Sequence, residues 1–402
     1  MSQKQENLIV VLDMGSAWTR VLAADLNEGA LRYRAHAMVE SAGMRKGLIA
    51  ELGPAARAVK AASDQAERTV RVNIDECVVG VGGPNVVGVN TTAGLNFGTR
   101  MREISKDDVS TAVERARGVT LPPDREILHL LTRQFVLDEQ PGIHDPVGMV
   151  GSRLEVDLHM STCSGSAQQS IVTCANRAGL EVTDTVFEAI AAAEATLTAD
   201  ERELGVCVLD IGAHSTELVV FFEGAVAHTG SIPFGGQHFT NDLAVVLQMP
   251  VAQAEQLKLR YGQCVVTAVP QLDEIEIRNP HPVMIRHRMV AEILEPRARE
   301  LFDMVRRSLR DGGVLGALGA GCVLTGGGAV LPGLLDVTES VLHVRARIGH
   351  PVQLSRMPSE LTHPACATLV GMLLYAHRKA LTKTAENNGL RSKIRAIFAA
   401  SL

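Results

Sequence analysis

The chain has 402 residues, 46% of them hydrophobic and 3% aromatic, with a net charge of −6. That length calls for two or more domains. The acidic balance and scarce aromatics argue against a basic or base-stacking surface, so no nucleic-acid partner is expected. Seven cysteines, at 77, 163, 174, 207, 264, 322 and 366, contain no CxxC pair. Cys77, Cys207 and Cys322 sit in apolar runs and read as buried thiols of a cytosolic chain. The N-terminus, MSQKQENLIVVLDMG, enters a strand without a signal segment. No apolar run approaches the roughly 20 residues that span a bilayer, so membrane contact is expected to be peripheral.

In chain order, the first predicted element is a strand–turn–strand phrase, LIVVLDMGSAWTRVLAAD, with Asp13, Gly15 and Ser16 at its turn; a third strand and a helix over 52–68 follow. Residues 83–161 read as a small α+β insertion carried by the first domain. Its helix starts at Ser105, with Asp108 completing a capping box, and strand-like pieces (REILHLLTRQFVLD, GSRLEVDLHMSTC) close it. The opening phrase then returns 197 residues on as GVCVLDIGAHSTELVVF, with Asp210, Gly212, Ser215 and Thr216. Two similar βββ units predict two related domains with a cleft between them. Residues 231–309 hold helices, a Pro-rich turn and a long helix, MVAEILEPRARELFDMVRRSLR, in which Pro296 predicts a kink or a boundary. A strand then runs into Gly326, Gly327 and Gly328 (CVLTGGGAVLPGL), and residues 365–380 read as a helix that packs back onto the first domain. TKTAENNG is polar and linker-like, and GLRSKIRAIFAASL is amphipathic.

The chemistry of these turns points to a phosphorylated ligand. Phosphate needs convergent N–H donors and small residues that leave them open. Gly15, Ser16 and Ala17 would form one such turn, and Gly212, Ala213, His214 and Ser215 the facing one. Asp13 and Asp210 would hold Mg2+ through its waters, since magnesium keeps much of its hydration shell. The three late glycines let a ligand approach the backbone closely. For a single Asp-x-Gly the plainer reading is an ordinary hairpin turn; two copies and a late TGGG favour a ligand site.

Together these motifs resemble the phosphate-1, phosphate-2 and adenosine motifs of the actin/Hsp70/sugar-kinase superfamily. More narrowly, TADERELGVCVLDIG (198–212), IHDPVGMVGSRLEV (143–156), AEQLKLRYG (254–262), AEILEPR (291–297) and VLTGGGAVLPGL (323–334) resemble the FtsA family of bacterial cell-division proteins. The resemblance implies an α/β, actin-like two-lobed ATPase fold with duplicated βββαβα cores. Subdomain 1A would comprise 1–82, 162–196 and 336–380, and the 83–161 insertion would be subdomain 1C. Subdomain 2A would comprise 197–230 and 310–335, with 2B at 231–309; a linker at 381–389 would lead to an amphipathic membrane-targeting helix at 390–402.

It also implies ATP with Mg2+ in the cleft. Glu255 and Lys258 share a helix face and would meet the ribose and adenine. Glu188 matches the superfamily's connecting-helix acid, which would position water against the γ-phosphate, with Glu194 as a nearby competitor. The second turn departs from the usual Gly-Gly-Gly-Thr. Ala213 and His214 suit binding if their φ values are negative, and at most slow ATPase turnover is expected. A protonated His214 would add a donor to the phosphates.

At the C-terminus, Leu390, Ile394, Ile397, Phe398 and Leu402 form one face flanked by Arg391, Lys393 and Arg395. From residue 376 onward six Lys/Arg stand against one Glu, a local +5 that leaves −11 on the rest. That pattern describes an interfacial helix drawn to anionic lipid, and the family ends in such a helix. In the family, subdomain 2B receives the acidic C-terminal peptide of FtsZ, so Arg286, Arg288, Arg297 and Arg299 are expected to pair with its carboxylates.

The resemblance therefore implies a cytoplasmic, peripherally membrane-bound protein on the inner face of the bacterial plasma membrane at the division site. It would tether FtsZ filaments, assemble with itself into filaments and help recruit downstream division proteins. The rival readings are a small-molecule kinase and another bacterial actin homologue, of pilus assembly or segregation, on the same fold.

Overall fold

The computed structural model describes residues 8–27, 30–99, 101–279 and 281–387. The opening apolar run becomes β1 (Leu8–Met14), which turns into β2 (Trp18–Asn27) and β3 (Ala30–Glu40) as an antiparallel meander. A small hairpin, β4 (Met44–Arg45) with β5 (Leu48–Ile49), leads to α1 (Leu52–Val70), whose alanine-rich face (Ala55, Val59, Ala62, Ala66) packs on the sheet. β6 (Glu76–Val81) then joins parallel to β1.

The insertion follows, as β7 (Val87–Asn96), β8 (Arg102–Glu103), α2 (Lys106–Arg117), β9 (Arg125–Leu137), β10 (Gln140–Ile143), β11 (Val150–Gly151) and β12 (Arg153–Ser164). The predicted capping box forms at the start of α2. Ser105 Oγ accepts from the Asp108 N–H at 3.2 Å, and Asp108 accepts from the Ser105 N–H at 2.9 Å. Ile104, Ala112, Ala116, Phe135, Leu154 and Val156 give the insertion a core of its own.

The chain returns to the first lobe through α3 (Gly165–Arg177) and β13 (Glu181–Phe187), then crosses over by α4 (Glu188–Thr196) and α5 (Ala199–Leu204). The second lobe repeats the first: β14 (Val206–Ile211), β15 (Thr216–Phe222) and β16 (Ala225–Ile232) form the meander. α6 (Gly236–Val246), α7 (Val251–Tyr261), the hairpin β17 (Glu274–Asn279) with β18 (His281–Arg286), and α8 (His287–Asp311) make up its elaboration. β19 (Gly321–Thr325), α9 (Leu334–Leu342) and β20 (Ala346–Ile348) complete the sheet, and α10 (Ala367–Asn387) packs back on the first lobe, against β1, β2 and α4.

The sheet orders state the duplication directly. The first lobe runs β13-β6-β1-β2-β3, and the second contains β20-β19-β14-β15-β16 in the matching sequence of parallel and antiparallel neighbours. The cysteines singled out above are free and buried, with Cys207 beside Cys322 across the β14–β19 pair.

Three expectations are corrected. The insertion is not carried by the first domain alone: β7 bridges to β16 at Val87–Gly230, so one nine-stranded sheet runs from the insertion through the second lobe. Of the two outcomes expected at Pro296, the boundary does not form: α8 is continuous from His287 to Asp311. Val290 and Leu294 before the proline, and Ala298, Leu301, Phe302, Val305 and Leu309 after it, are all buried. At about 1.5–3 kcal/mol for each large side chain, that stripe outweighs the roughly 3 kcal/mol cost of an internal proline. Finally, α10 does not stop near residue 380 but continues through the polar stretch to Asn387. Thr382 Oγ1 donates back to the Arg378 carbonyl at 3.0 Å as the helix passes residue 380.

The two connecting helices, α4 and α10, cross almost backbone to backbone. α4 buries Ala189, Ala191, Ala192, Ala193 and Ala195, and a Cβ on Gly371 of α10 would lie 1.6 Å from the Ala191 carbonyl oxygen. Glu194 ties the crossing to Arg378 at 2.8 Å and faces Arg202 at 3.6 Å.

Candidate functional site

Three turns meet between the lobes around a cavity of about 910 Å3. The first is the β1–β2 turn, fixed by Ser41 Oγ donating to the Gly15 carbonyl at 2.6 Å. The second is the β14–β15 turn, where the Gly212 N–H donates to the Ser215 carbonyl at 2.9 Å. The start of α6 holds it from outside, the Gly236 N–H on the Gly212 carbonyl at 2.9 Å and the Gln237 N–H on the Ala213 carbonyl at 2.7 Å. Neither Ala213 nor His214 has a positive φ. The departure from a glycine run is therefore accommodated without backbone strain, as the sequence condition requires.

The third turn follows β19. Gly326 has φ +83°, and a Cβ there would lie 2.3 Å from Asp210 Oδ1 and 2.6 Å from the Ile211 carbonyl oxygen. Only glycine fits a backbone in that region and that close to a neighbouring strand. The Gly328 N–H donates to the Ile211 carbonyl at 2.8 Å, which docks the turn on the end of β14, and Gly327 lines the cavity beside it.

Glu255 and Lys258 lie on α7 at the cavity wall, 2.8 Å apart. Lys258 Nζ also donates to Thr240 Oγ1 at 2.8 Å and to the Gly236 carbonyl at 3.1 Å. An ammonium has three N–H donors, so this lysine would meet a ligand only by exchanging one of those partners. The expected direct adenosine contact is thus tempered for Lys258, while the Glu255 side chain keeps 39% of its surface exposed.

Beneath the turns lie four carboxylates, and one guanidinium, Arg20, pairs with the first of them. Asp13 closes β1 and pairs across the ladder with Arg20, whose Nη1 lies 3.1 Å from Asp13 Oδ2. Burial still pushes Asp13 up, against the lowering effect of Arg20. Asp210 takes the Thr368 hydroxyl from α10 as donor; burial raises it to about 6. Glu217 on β15 accepts the Gly83 N–H at 2.8 Å and is raised by burial and by Asp210 to about 7. Glu188, the first residue of α4, keeps part of its surface on the cavity, yet burial and the neighbouring Asp13, Glu217 and Asp210 raise it well above the usual range.

This excess of buried negative charge fits a cation. Among the described residues no three acidic, histidine or cysteine groups lie close enough to cage a metal directly. His214 is half-buried and lines the cavity, and its Nδ1 has no hydrogen-bond partner among the described residues. Burial and the nearby His238 lower its pKa in the free protein, which disfavours the protonated form.

Arg20 and Glu217 were not among the sequence candidates. Both carried a signal: each lies seven residues after its aspartate, near the start of the strand that follows the turn, and Glu217 is the one charge in its strand. Glu194, the competitor of Glu188, instead faces Arg202 and Arg378 at the helix crossing.

The four arginines of the second lobe separate. Arg286 is exposed at the end of β18, and Arg288 lies 3.4 Å from Glu292. Arg299 pairs with Glu295 at 2.9 Å. Arg297 grips Asp242 of α6 with two nitrogens, reaches Glu300 at 2.5 Å and lies over the Phe234 ring. It fastens α8 to α6, so a partner peptide would have to share this guanidinium with Asp242 and Glu300. Leu390, Ile394, Ile397, Phe398 and Leu402 lie outside the described residues. Among the described residues no helix is long and apolar enough to cross a membrane.

Comparison with known proteins places the chain. The model of the family "Cell division protein FtsA" matches residues 207–371, and that of the "SHS2 domain inserted in FTSA" matches residues 83–162. The cell division protein FtsA of Pseudomonas aeruginosa is 33% identical, over 94% of this chain and 91% of that protein. Among solved structures, the PilM–PilN type IV pilus biogenesis complex matches with a TM-score of 0.65 at 18% identity, over 92% of this chain and 98% of that one. MreB5 of Spiroplasma citri bound to AMPPNP matches with a TM-score of 0.58 at 15% identity, over 96% and 100%. At those identities the structural likeness shows the actin-like fold alone.

Proposed function

The chain belongs to the FtsA family of cell-division proteins, and from that premise we propose that it is an ATP-binding membrane tether for FtsZ filaments that assembles with itself and helps recruit downstream division proteins. The observation that carries the nucleotide reading is the meeting of three small-residue turns above a cluster of buried acids at one interlobe cavity. The Gly15–Ala17 and Gly212–Ser215 turns would take the phosphates from the two lobes. Asp13 and Asp210 would hold the waters of Mg2+, which when bound neutralises phosphate charge. Glu188 would orient a water toward the terminal phosphate, and the Ala213–His214 departure in the second turn favours slow turnover.

The partner surface has a narrower basis than the sequence suggests. With Arg297 engaged inside the lobe, an acidic FtsZ peptide would meet Arg286 and Arg288 beside the exposed Val283, Met284 and Met289. Basic flanks and the apolar face at 390–402 support attachment of the C-terminal segment to anionic lipid. Localisation to the inner face of the plasma membrane follows from that reading.

The test is a pull-down with anionic liposomes, FtsZ filaments, ATP and Mg2+, comparing the full chain with one ending at Asn388. The shortened chain should lose the liposomes and keep the nucleotide. Trp18, the single tryptophan of the chain, lines the cavity, so its emission reads nucleotide binding. A full chain that bound neither liposomes nor FtsZ, and phosphorylated a small molecule instead, would sink the reading.

A further inference from the structure

The insertion reaches the base of the helix that carries Glu188. His129, on β9 of the insertion, is 7% exposed, and its Nε2 accepts the Phe187 N–H at 2.9 Å. Phe187 is the N-cap of α4 and supplies no side-chain cap, so an orphan donor at the start of this helix is satisfied from the insertion. An unpaired N–H there would be buried, which makes the contact costly to lose. The imidazole ring also stands edge-on to Tyr375 of α10, with centroids 5.8 Å apart. It therefore touches both connecting helices.

Glu188 is bounded on its other side by the chain on its way into the insertion. A Cβ on Gly82 would lie 2.0 Å from Glu188 Oε2, and one on Gly80 3.2 Å from Oε1. The far side of the insertion is tied to the second lobe. Beyond the Val87–Gly230 bridge, Thr229 Oγ1 lies 2.8 Å from His159 Nε2, and Asn90 Nδ2 donates to the Ala227 carbonyl at 3.1 Å. The insertion thus spans from the second lobe to both sides of one acid in the cleft.

We propose that His129 is a positioning residue through which the insertion sets Glu188 against the terminal phosphate of the bound nucleotide. A shift of the insertion, whether by lobe movement or by a partner seated on it, then changes turnover and leaves nucleotide affinity nearly untouched. The inference rests on Glu188 as the water-orienting acid.

The test measures phosphate release under saturating ATP and Mg2+, and nucleotide affinity by Trp18 emission, in wild type, His129→Leu, His129→Gln, Glu188→Gln and His129→Leu/Glu188→Gln. Gln carries an acceptor oxygen where Nε2 stands; Leu does not. His129→Leu should lose at least about tenfold in turnover, with affinity changed less than about threefold, a kcat loss without a matching binding loss. His129→Gln should recover at least half of the rate, and the double variant should be no slower than Glu188→Gln alone. Wild-type turnover in His129→Leu overturns the inference, as does a Gln variant as slow as Leu, or additive losses in the double variant. Wild-type turnover in Glu188→Gln removes the acid's role instead, a failure of the underlying reading that shows in a different variant. A wild-type chain that binds nucleotide and never turns it over overturns the inference and leaves the binding reading standing.

Discussion

The two lobes share a strand order and differ in charge at one matched position. Asp13 faces Arg20 across the β1–β2 ladder, while Asp210 faces Glu217 across the β14–β15 ladder. The first lobe therefore neutralises its own phosphate-side acid. The second carries two acids and takes donors from both lobes: Ser215 of its own turn, and from the first lobe the Thr368 hydroxyl on α10 and the Gly83 N–H at the root of the insertion. Duplication preserved the scaffold, and the electrostatics became complementary between lobes. Part of the charge in the second lobe is thus satisfied from across the cleft, which suits a cleft that a cation and an anionic ligand would lock.

The comparison can be broken most severely at Arg20. Arg20→Met leaves Asp13 and Glu188 without their cation, and the loss of one partner of a buried pair costs about 3–5 kcal/mol. The cost should be largest at pH 8 and smaller at pH 5, where the acids take up protons; denaturant unfolding at both values decides it. Gly326→Ala comes next, because its Cβ would meet Asp210 at positive φ. Nucleotide affinity read by Trp18 emission should fall at least about tenfold, or about 1.4 kcal/mol.

Glu217→Gln sharpens the comparison in the other direction. Its carboxyl is raised by burial from 4.5 to about 7, so the native state binds the proton more tightly than the unfolded chain does. Ionisation then costs stability as pH rises through about 4.5 to 7. The variant keeps an acceptor for Gly83 and should gain on wild type by about 1–2 kcal/mol at pH 8 and by little at pH 5, as melting in the absence of nucleotide would show. The smallest effect is expected at His214. A neutral imidazole adds little to phosphate binding, so isothermal titration at pH 7.5 should find ATP affinity in His214→Ala within about threefold of wild type, or about 0.7 kcal/mol. A larger loss would mean that the phosphates protonate it.

Much of the scaffold was legible because its signals are local. The apolar runs broken at Asp13 and Asp210, the glycines at 326–328 and the Ser105–Asp108 box each follow from a few adjacent residues. Arg20 and Glu217 were harder to read, since a charge in a strand has meaning only once the facing strand is known. Arg297 looked available among its neighbours, but Asp242, 55 residues earlier, takes it up. Pro296 carried the usual warning, and the buried stripe on both sides overrode it.

By itself the sequence determined the two turns, their spacing and the helices and strands around them, because turn chemistry and hydrophobic period act over a few residues. Only the tertiary structure decided which charges share a site, which arginine is already paired, and that the insertion's sheet joins the second lobe while His129 reaches α4. Those depend on contacts between residues tens to more than a hundred positions apart, where burial strengthens electrostatics and close packing leaves room for one arrangement.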